Sequence, residues 1–135
     1  MIKGLEVRNI IVNTDERGLF SELFRQDWFN EQIVQCNLSY SLPGVVRAWH
    51  RHERGQVDYM IVLKGAMAIM IWDEEDKKEV HIENTEDDMF PKLVRVPGEY
   101  WHGVKVLGDE PAILLYFVTK LYDYDNPDEL RKPYP

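Results

Sequence analysis

Short apolar runs of the kind that form strands recur along almost the whole chain of 135 residues. Each run is rich in β-branched or aromatic residues and is bounded by Gly, Pro, Asn or an acidic cluster, a pattern typical of strands and turns. In chain order the runs are LEVRNIIV, GLFSELFR, IVQCNLSYSL, VVRAWH, QVDYMIVL, AMAIMIW, KEVHIE, KLVRVP, WHGVKVL and AILLYFVT. No segment has the length and periodicity of a core helix. The regular spacing predicts an all-β sandwich or barrel.

The links between the runs predict two hairpins, a helical turn and a tail. The stretch YMIVLKGAMAIMIW reads as a hairpin about Lys64-Gly65, and WDEEDKKEV as a second, charged turn. RQDWFNEQ fits a single helical turn. The terminal DYDNPDELRKPYP is expected to be an extended tail that lies on the surface or on a partner.

Composition and charge restrict the class of protein. A chain of this length is expected to form one domain, residues 1–135, that buries roughly two-thirds of its unfolded surface. Acidic residues outnumber basic ones 24 to 16, which gives a net charge of -8 and excludes the basic stripe of a nucleic-acid-binding surface. Cys36 is the single cysteine, and no run resembles a signal peptide or a membrane span. We therefore expect a cytoplasmic protein with no membrane partner.

Period-two alternation places several polar side chains on strand faces. In VQCNLSYS, one face carries Gln35, Asn37, Ser39 and Ser41. His50 and His52 share a face with small apolar residues, which favours a pocket or a core over open solvent. Arg47 has the opposite parity to His50, so both face one cavity only if the strand bends or bulges between them.

The spacing of the histidines carries a resemblance to a known superfamily. Gly44 is followed by His50-x-His52, then by Asp58 and Gly65, and PGEYWH places Pro97 ahead of His102. This spacing resembles the two signature motifs of the cupin superfamily. The resemblance implies a double-stranded β-helix, or jelly roll, in which His50, His52, Asp58 and His102 converge. Such a set could hold Fe, Mn, Ni, Cu or Zn, or it could be a hydrogen-bonded pocket without metal.

A narrower resemblance covers most of the chain. The blocks DERGLFSELFR, QCNLSYSLPGVVRAWH, VPGEYWHGVKVLGDE and LLYFVTKLYDY are similar to those of the dTDP-4-dehydrorhamnose 3,5-epimerase family. The resemblance implies that the nucleotide diphosphate and sugar are contacted by Arg17, Glu22, Gln35, Asn37 and Arg47. It makes His50 the general base, Tyr116 the general acid and His102 a residue of the sugar pocket, and it requires no cofactor. It also implies a homodimer that exchanges N-terminal strands.

One departure from the family pattern bears on the mechanism. Asp58 stands where the family has a lysine that polarises the sugar ketone, and a carboxylate there would repel an enolate unless it is protonated or holds a cation. We expect Asp58 either to orient His50 or to complete a metal site. Trp49 replaces a leucine of the family, which predicts a pocket different from the usual one.

Three functions follow from these residues. The leading one is epimerisation or isomerisation of a nucleotide-linked 4-keto-6-deoxy sugar, with His50 removing a proton. The second is a metal-dependent cupin enzyme that acts on another small molecule. The third is a non-catalytic sugar-nucleotide binder, which keeps the arginines without competent chemistry.

Overall fold

The computed structural model describes residues 2–85 and 91–135. Each of the ten apolar runs contains a strand, and RQDWFNEQ contains a 3-10 turn over Gln26–Trp28. The strands in these ranges are β1 Glu6–Asn9, β2 Asn13–Asp15, β3 Gly18–Phe20, β4 Gln35–Ser41, β5 Val46–Arg51, β6 Val57–Lys64, β7 Met67–Asp73, β8 Lys78–Asn84, β9 Lys92–Pro97, β10 Trp101–Val106, β11 Ala112–Val118 and β12 Leu130–Arg131.

Ten of the described strands form two antiparallel sheets of five. Sheet I has the order β1-β9-β6-β11-β4, and sheet II has the order β12-β5-β10-β7-β8. Strands β2 and β3 pair only with each other and form a separate hairpin, which we call the arm. Strands that are distant in sequence are neighbours in both sheets, as expected for a jelly roll. The all-β jelly-roll prediction is confirmed.

A buried apolar core joins the inner faces of the two sheets. Sheet I contributes residues such as Met60, Val94 and Leu114, and sheet II contributes residues such as Ile69 and Val104. The alternating apolar positions of both sheets meet here, because only one face of each strand can point inward. This core fixes the two sheets against each other and therefore fixes the side chains that project between them.

The two predicted hairpins had different outcomes. The charged turn is confirmed, since β7 and β8 pair from Met67 opposite Asn84 to Asp73 opposite Lys78. The hairpin about Lys64-Gly65 is wrong, because β6 belongs to sheet I and β7 to sheet II. The chain crosses between sheets at Gly65, whose φ is +82° and whose added Cβ would lie 2.7 Å from a backbone oxygen. Both a tight hairpin and this change of sheet require a glycine, so the glycine in the sequence does not distinguish between them.

The C-terminal tail lies on the chain's own sheet. Strand β12 pairs with β5 and extends sheet II by one strand. Just beyond it, Trp49 and Lys132 exchange backbone hydrogen bonds of 2.9 and 3.1 Å. The tail thus runs antiparallel beside the strand that carries His50. In the described ranges, no helix has the length and apolar character needed to cross a membrane.

Candidate active site

A cavity of about 730 Å³ lies between the sheets and is bordered by the tail. This volume is within the usual range for a small-molecule site. Eight of the residues singled out from the sequence line it, from both sheets: Gln35, Asn37, Arg47, His50, His52, Asp58, His102 and Tyr116. The cavity is therefore the candidate site.

A bulge in β5 brings Arg47 and His50 to this cavity together. His102 pairs with His50 and Val104 pairs with Arg47, so two residues of β5, Ala48 and Trp49, lie opposite the single residue Gly103 of β10. Gly103 lies against the bulge, where an added Cβ would lie only 2.4 Å from the Cβ of Ala48. Arg47 and His50 have opposite parity and need a bend between them to face one pocket. The bulge provides that bend.

The tail supplies a carboxylate to His50. Nδ1 of His50 lies 3.1 Å from Oε1 of Glu129, although the two atoms do not meet the angular requirements of a hydrogen bond. The other oxygen of Glu129, Oε2, lies 3.2 Å from the guanidinium of Arg131. Burial lowers the pKa of His50, while the charge of Glu129 opposes that shift. His50 is therefore neutral near pH 7, the state that can accept a proton.

Asp58 lies among two other histidines rather than beside His50. It is only 4% exposed, and its Oδ2 is 3.3 Å from Nε2 of His102 and 3.7 Å from Nε2 of His52. Its Oδ1 accepts a 2.7 Å hydrogen bond from Gln56. Burial acts to raise the pKa of Asp58, but its contacts with the two histidines outweigh burial and lower it. Burial likewise acts to lower the pKa of His52, and Asp58 reverses the shift so that the pKa is raised.

The backbone fixes the tautomers of the two imidazoles around Asp58. Nδ1 of His52 lies 2.7 Å from the carbonyl oxygen of Asp128, and Nδ1 of His102 lies 2.9 Å from that of Tyr100. A carbonyl oxygen only accepts, so each Nδ1 carries a proton and each Nε2 is directed towards Asp58. Ligand atoms of His52, Asp58 and His102 lie within 4.8 Å of one another, which could accommodate a metal ion. His50 is outside this group of three.

Tyr116 faces the cavity from the opposite wall to His50. It belongs to β11 of sheet I, directly opposite Asn37 of β4, whereas His50 belongs to sheet II. Burial and then the charges of Asp58 and Glu129 raise the pKa of Tyr116, so its hydroxyl keeps its proton near neutral pH. The cavity therefore has a neutral imidazole on one wall and a protonated phenol on the other.

Two of the singled-out residues lie away from the cavity. Arg17 is at the tip of the arm, where its side chain is 83% exposed and pairs with Asp15. Glu22 follows the arm and lies 3.4 Å from Arg25. Neither lines the cavity of its own chain. Trp49 also points elsewhere, since it packs against Trp72 and Tyr134 outside the sheet, so the prediction that it reshapes the pocket is wrong.

Sequence reasoning missed the contribution of the tail. Asp128 accepts hydrogen bonds of 2.8 Å from the backbone N–H groups of Glu53 and Arg54, and this anchors the segment that carries Glu129. The tail has neither alternation nor a helical period, so no pattern predicts which of its carboxylates reaches the cavity. The acidic and basic residues of DELRK were the only local signal.

Comparison with known proteins places the chain in a family. The sequence model of a family described as "Polysaccharide biosynthesis C-terminal domain" matches residues 13–130. The chain is 42% identical to the probable low-salt glycan biosynthesis epimerase of Haloferax volcanii, over 98% of this chain and 88% of that protein. It is 32% identical to a dTDP-4-dehydrorhamnose 3,5-epimerase of Methanothermobacter thermautotrophicus, over 85% of this chain and 68% of that protein.

Solved structures agree on the fold. A dTDP sugar isomerase of Desulfovibrio desulfuricans G20 superposes with a TM-score of 0.85 at 22% identity, over 98% of this chain and 85% of that chain. The dTDP-6-deoxy-D-glucose-3,5-epimerase of Legionella pneumophila, solved with dTDP-4-keto-L-rhamnose, gives 0.83 at 24% identity, over 98% and 74%.

The jelly-roll fold and the named relatives make the chain an isomerase of the sugar-epimerase type. More narrowly, the chain belongs to the dTDP-4-dehydrorhamnose 3,5-epimerase-like family. The sequence predicted membership of this family, an isomerase activity and a nucleotide-sugar epimerase function. The relatives confirm all three for the family to which the chain belongs.

Proposed function

We propose that this chain inverts a carbon next to the ketone of a nucleotide-linked 4-keto-6-deoxy sugar, with His50 as the base and Tyr116 as the acid. One observation carries the proposal. His50 and Tyr116 project into one cavity from opposite sheets, so a planar intermediate held between them meets a base on one face and a proton donor on the other. Inversion of a carbon requires that arrangement, because the proton leaves one face and returns to the other.

Neutral His50 accepts the proton from the carbon adjacent to the ketone, and the C–H electrons become the double bond of an enolate whose charge lies on the ketone oxygen. Tyr116 then donates its hydroxyl proton to the opposite face of that carbon, which restores the ketone. Imidazolium and phenolate return to their starting states when His50 releases a proton to solvent and Tyr116 takes one from it.

The charged groups of the cavity support a diphosphate substrate. Arg47 lies at the bulge, where its guanidinium donates 2.8 Å to Ser41 Oγ, and it keeps further N–H groups for a phosphate. Gln35 and Asn37 of β4 also line the cavity. The ligand of the Legionella pneumophila structure makes dTDP-4-keto-L-rhamnose the first compound to test.

We also propose that the chain is a homodimer in the cytoplasm. Leu19 and Phe20 of the arm are 71% and 65% exposed, and an isolated two-stranded hairpin with such side chains is only marginally stable in water. A second copy that covers the arm would bury these residues and could bring Arg17 towards the partner's cavity. Sedimentation of wild type and of Leu19→Glu tests this, since a monomeric wild type would contradict it. The single cysteine supports a reducing compartment.

Deuterium exchange tests the chemistry directly. Wild type incubated in D2O with dTDP-4-keto-L-rhamnose and, separately, with its epimer at the carbon next to the ketone should introduce deuterium at that carbon. His50→Gln should abolish the exchange of the epimer whose proton faces residue 50. Tyr40→Phe, on the exposed face of β4, is the matched control and should exchange normally. Binding without exchange in wild type would contradict catalysis and favour the non-catalytic binder.

A second candidate is a metal-dependent enzyme, favoured by the directed Nε2 atoms of His52 and His102 beside Asp58. Two imidazoles and a carboxylate are suitable ligands for Fe, Mn, Ni, Cu or Zn, and the ion would supply positive charge near a ketone oxygen. Elemental analysis of protein purified without chelator should find about one metal per chain, lost in His52→Ala. Absence of metal from wild type after attempted loading would contradict this candidate.

A further inference from the structure

A directed chain of hydrogen bonds runs from the tail into the cavity wall. The backbone N–H of Tyr122 donates to Oε1 of Gln35 over 3.0 Å, and Nε2 of Gln35 donates to Oδ1 of Asn37 over 2.9 Å. A backbone N–H can only donate, so it holds the oxygen of Gln35 towards the tail and turns the amide nitrogen towards Asn37. The same logic fixes the oxygen of Asn37 on Gln35 and leaves the NH2 group of Asn37 for other partners.

Tyr116 is the cross-strand neighbour of Asn37. Asn37 and Tyr116 are directly opposite on adjacent antiparallel strands, and both line the cavity. Side chains at opposed positions have Cβ atoms roughly 5 Å apart, within reach of each other. The Asn37 amide nitrogen can only donate, so in a hydrogen bond between these two side chains the Tyr116 hydroxyl oxygen is the acceptor. Burial raises the pKa of Tyr116, and Asn37 opposes that rise, as a donor would. A phenol oxygen that accepts from an amide keeps its own proton free for a different acceptor.

We propose that Asn37, oriented by Gln35, is a positioning residue that directs the hydroxyl proton of Tyr116 into the cavity. The inference rests on the proposed function, in which Tyr116 returns a proton to the substrate carbon. It differs from a substrate contact by Gln35 and Asn37, because here the two amides act through Tyr116. The proposal also connects the tail to Tyr116, because the backbone N–H of Tyr122 fixes which way the hydrogen bonds through Gln35 and Asn37 run.

The test separates removal of the proton from its return. The substrate is whichever of dTDP-4-keto-L-rhamnose and its epimer at the carbon next to the ketone has its proton on the His50 face. With that epimer, deuterium wash-in reports removal by His50, and formation of the other epimer reports return by Tyr116. Tyr116→Phe should lower epimer formation by about 10²-fold or more and should change wash-in by less than about threefold. Asn37→Asp keeps the size of the side chain but replaces the donor by an acceptor that attracts the Tyr116 proton. It should lower epimer formation at least about tenfold, with KM and wash-in nearly unchanged.

A double-mutant cycle distinguishes positioning from substrate contact. If Asn37 acts through Tyr116, the combined variant should form epimer no more than about twofold slower than Tyr116→Phe alone. Gln35→Glu still accepts from Tyr122 but loses its donor to Asn37, so it should show a smaller defect of the same kind. Ser39→Ala changes the same face of β4 outside this hydrogen-bond chain, and its ratio of epimer formation to wash-in should match wild type.

Three results would overturn the inference. A raised KM with equal loss of wash-in and epimer formation in Asn37→Asp would make Asn37 a substrate contact, and so would additive losses in the cycle. Retention of wild-type epimer formation in Asn37→Asp would show that Tyr116 needs no positioning. Absence of wash-in from wild type would overturn the proposed function itself, and this inference with it. Thermal melts confirm folding, and Asn37→Ser carries the same test if Asn37→Asp does not fold.

Discussion

Replacing Glu129 by glutamine tests whether the tail takes part in catalysis. Glu129→Gln preserves the shape of the side chain and its contact with His50 while removing its charge. Proton abstraction turns His50 into an imidazolium, so a carboxylate at 3.1 Å from Nδ1 stabilises the charge that forms. Two unit charges at this distance interact by about 1.3 kcal/mol even at the dielectric constant of water, and by more in a partly buried site. The turnover number should therefore fall by about tenfold or more.

Glu129→Gln should also change the pH dependence of kcat/KM, through the pKa of His50. The charge of Glu129 raises the pKa of His50 against the lowering effect of burial. Its removal should lower that pKa further, so the acidic limb of the pH profile of kcat/KM should move to lower pH. We expect an enzyme that is slower on its plateau but keeps its plateau to more acidic conditions.

Steady-state epimerisation of dTDP-4-keto-L-rhamnose across pH provides the measurement. Glu53→Gln is the matched control, because it removes a charge from an exposed side chain next to the tail anchor and should leave plateau and limb unchanged. A Glu129→Gln enzyme with a turnover number within twofold of wild type and an unmoved limb would refute the role of Glu129. A shift of the limb to higher pH would refute the electrostatic reasoning.

Two further predictions concern the supports of the site. Asp128→Asn should destabilise the protein by about 1–2 kcal/mol, because the carboxylate accepts two backbone hydrogen bonds of the cap type. Burial acts to raise the pKa of Asp128 in the folded state, but the two N–H groups outweigh burial and lower it. The stability that Asp128 contributes is therefore complete above the pKa of the unfolded chain and is lost as pH falls through the pKa of the folded state. The difference in Tm between wild type and Asp128→Asn should thus shrink in acid, and a constant difference would be evidence against the assignment. Gly103→Ala should lower the free energy of unfolding by about 1–3 kcal/mol and reduce wash-in, because the new Cβ would lie 2.4 Å from the Cβ of Ala48. Gly108→Ala is the control: the nearest atom to its new Cβ is 3.7 Å away, so stability in thermal melts and wash-in should both be unchanged.

The sequence predicted the strands and the polar cavity wall because both depend on local periodicity. Gln35 and Asn37 alternate with apolar residues on β4, and a half-buried strand can satisfy that pattern in only one way. The crossing at Gly65 was misread because a glycine permits either a hairpin or a change of sheet, and the choice depends on which distant strands compete for β6 and β7. Glu129 was missed for a related reason. Its position is fixed by pairing of β12 with β5, which is a long-range contact with no local repeat.

The surroundings of Asp58 remove the main objection to family chemistry in this chain. An isolated carboxylate at the position of the family's lysine would raise the energy of an enolate by several kcal/mol in a cavity of low dielectric. Asp58 is not isolated, because Gln56 occupies one of its oxygens and two imidazole Nε2 atoms face the other. A protonated His52, whose pKa Asp58 raises, cancels the negative charge, and a metal held by the same three side chains would cancel it as well. Both arrangements place positive charge where the lysine would stand. They differ in a measurable way: an imidazolium must lose its proton as pH rises, so the enolate would lose its stabilisation in alkali, whereas a bound metal would retain it. Epimer formation also falls in alkali when Tyr116 loses its proton, so the measurement is deuterium wash-in, which does not need Tyr116. A chelator-insensitive enzyme whose wash-in falls on the alkaline side would assign the role of the missing lysine to His52.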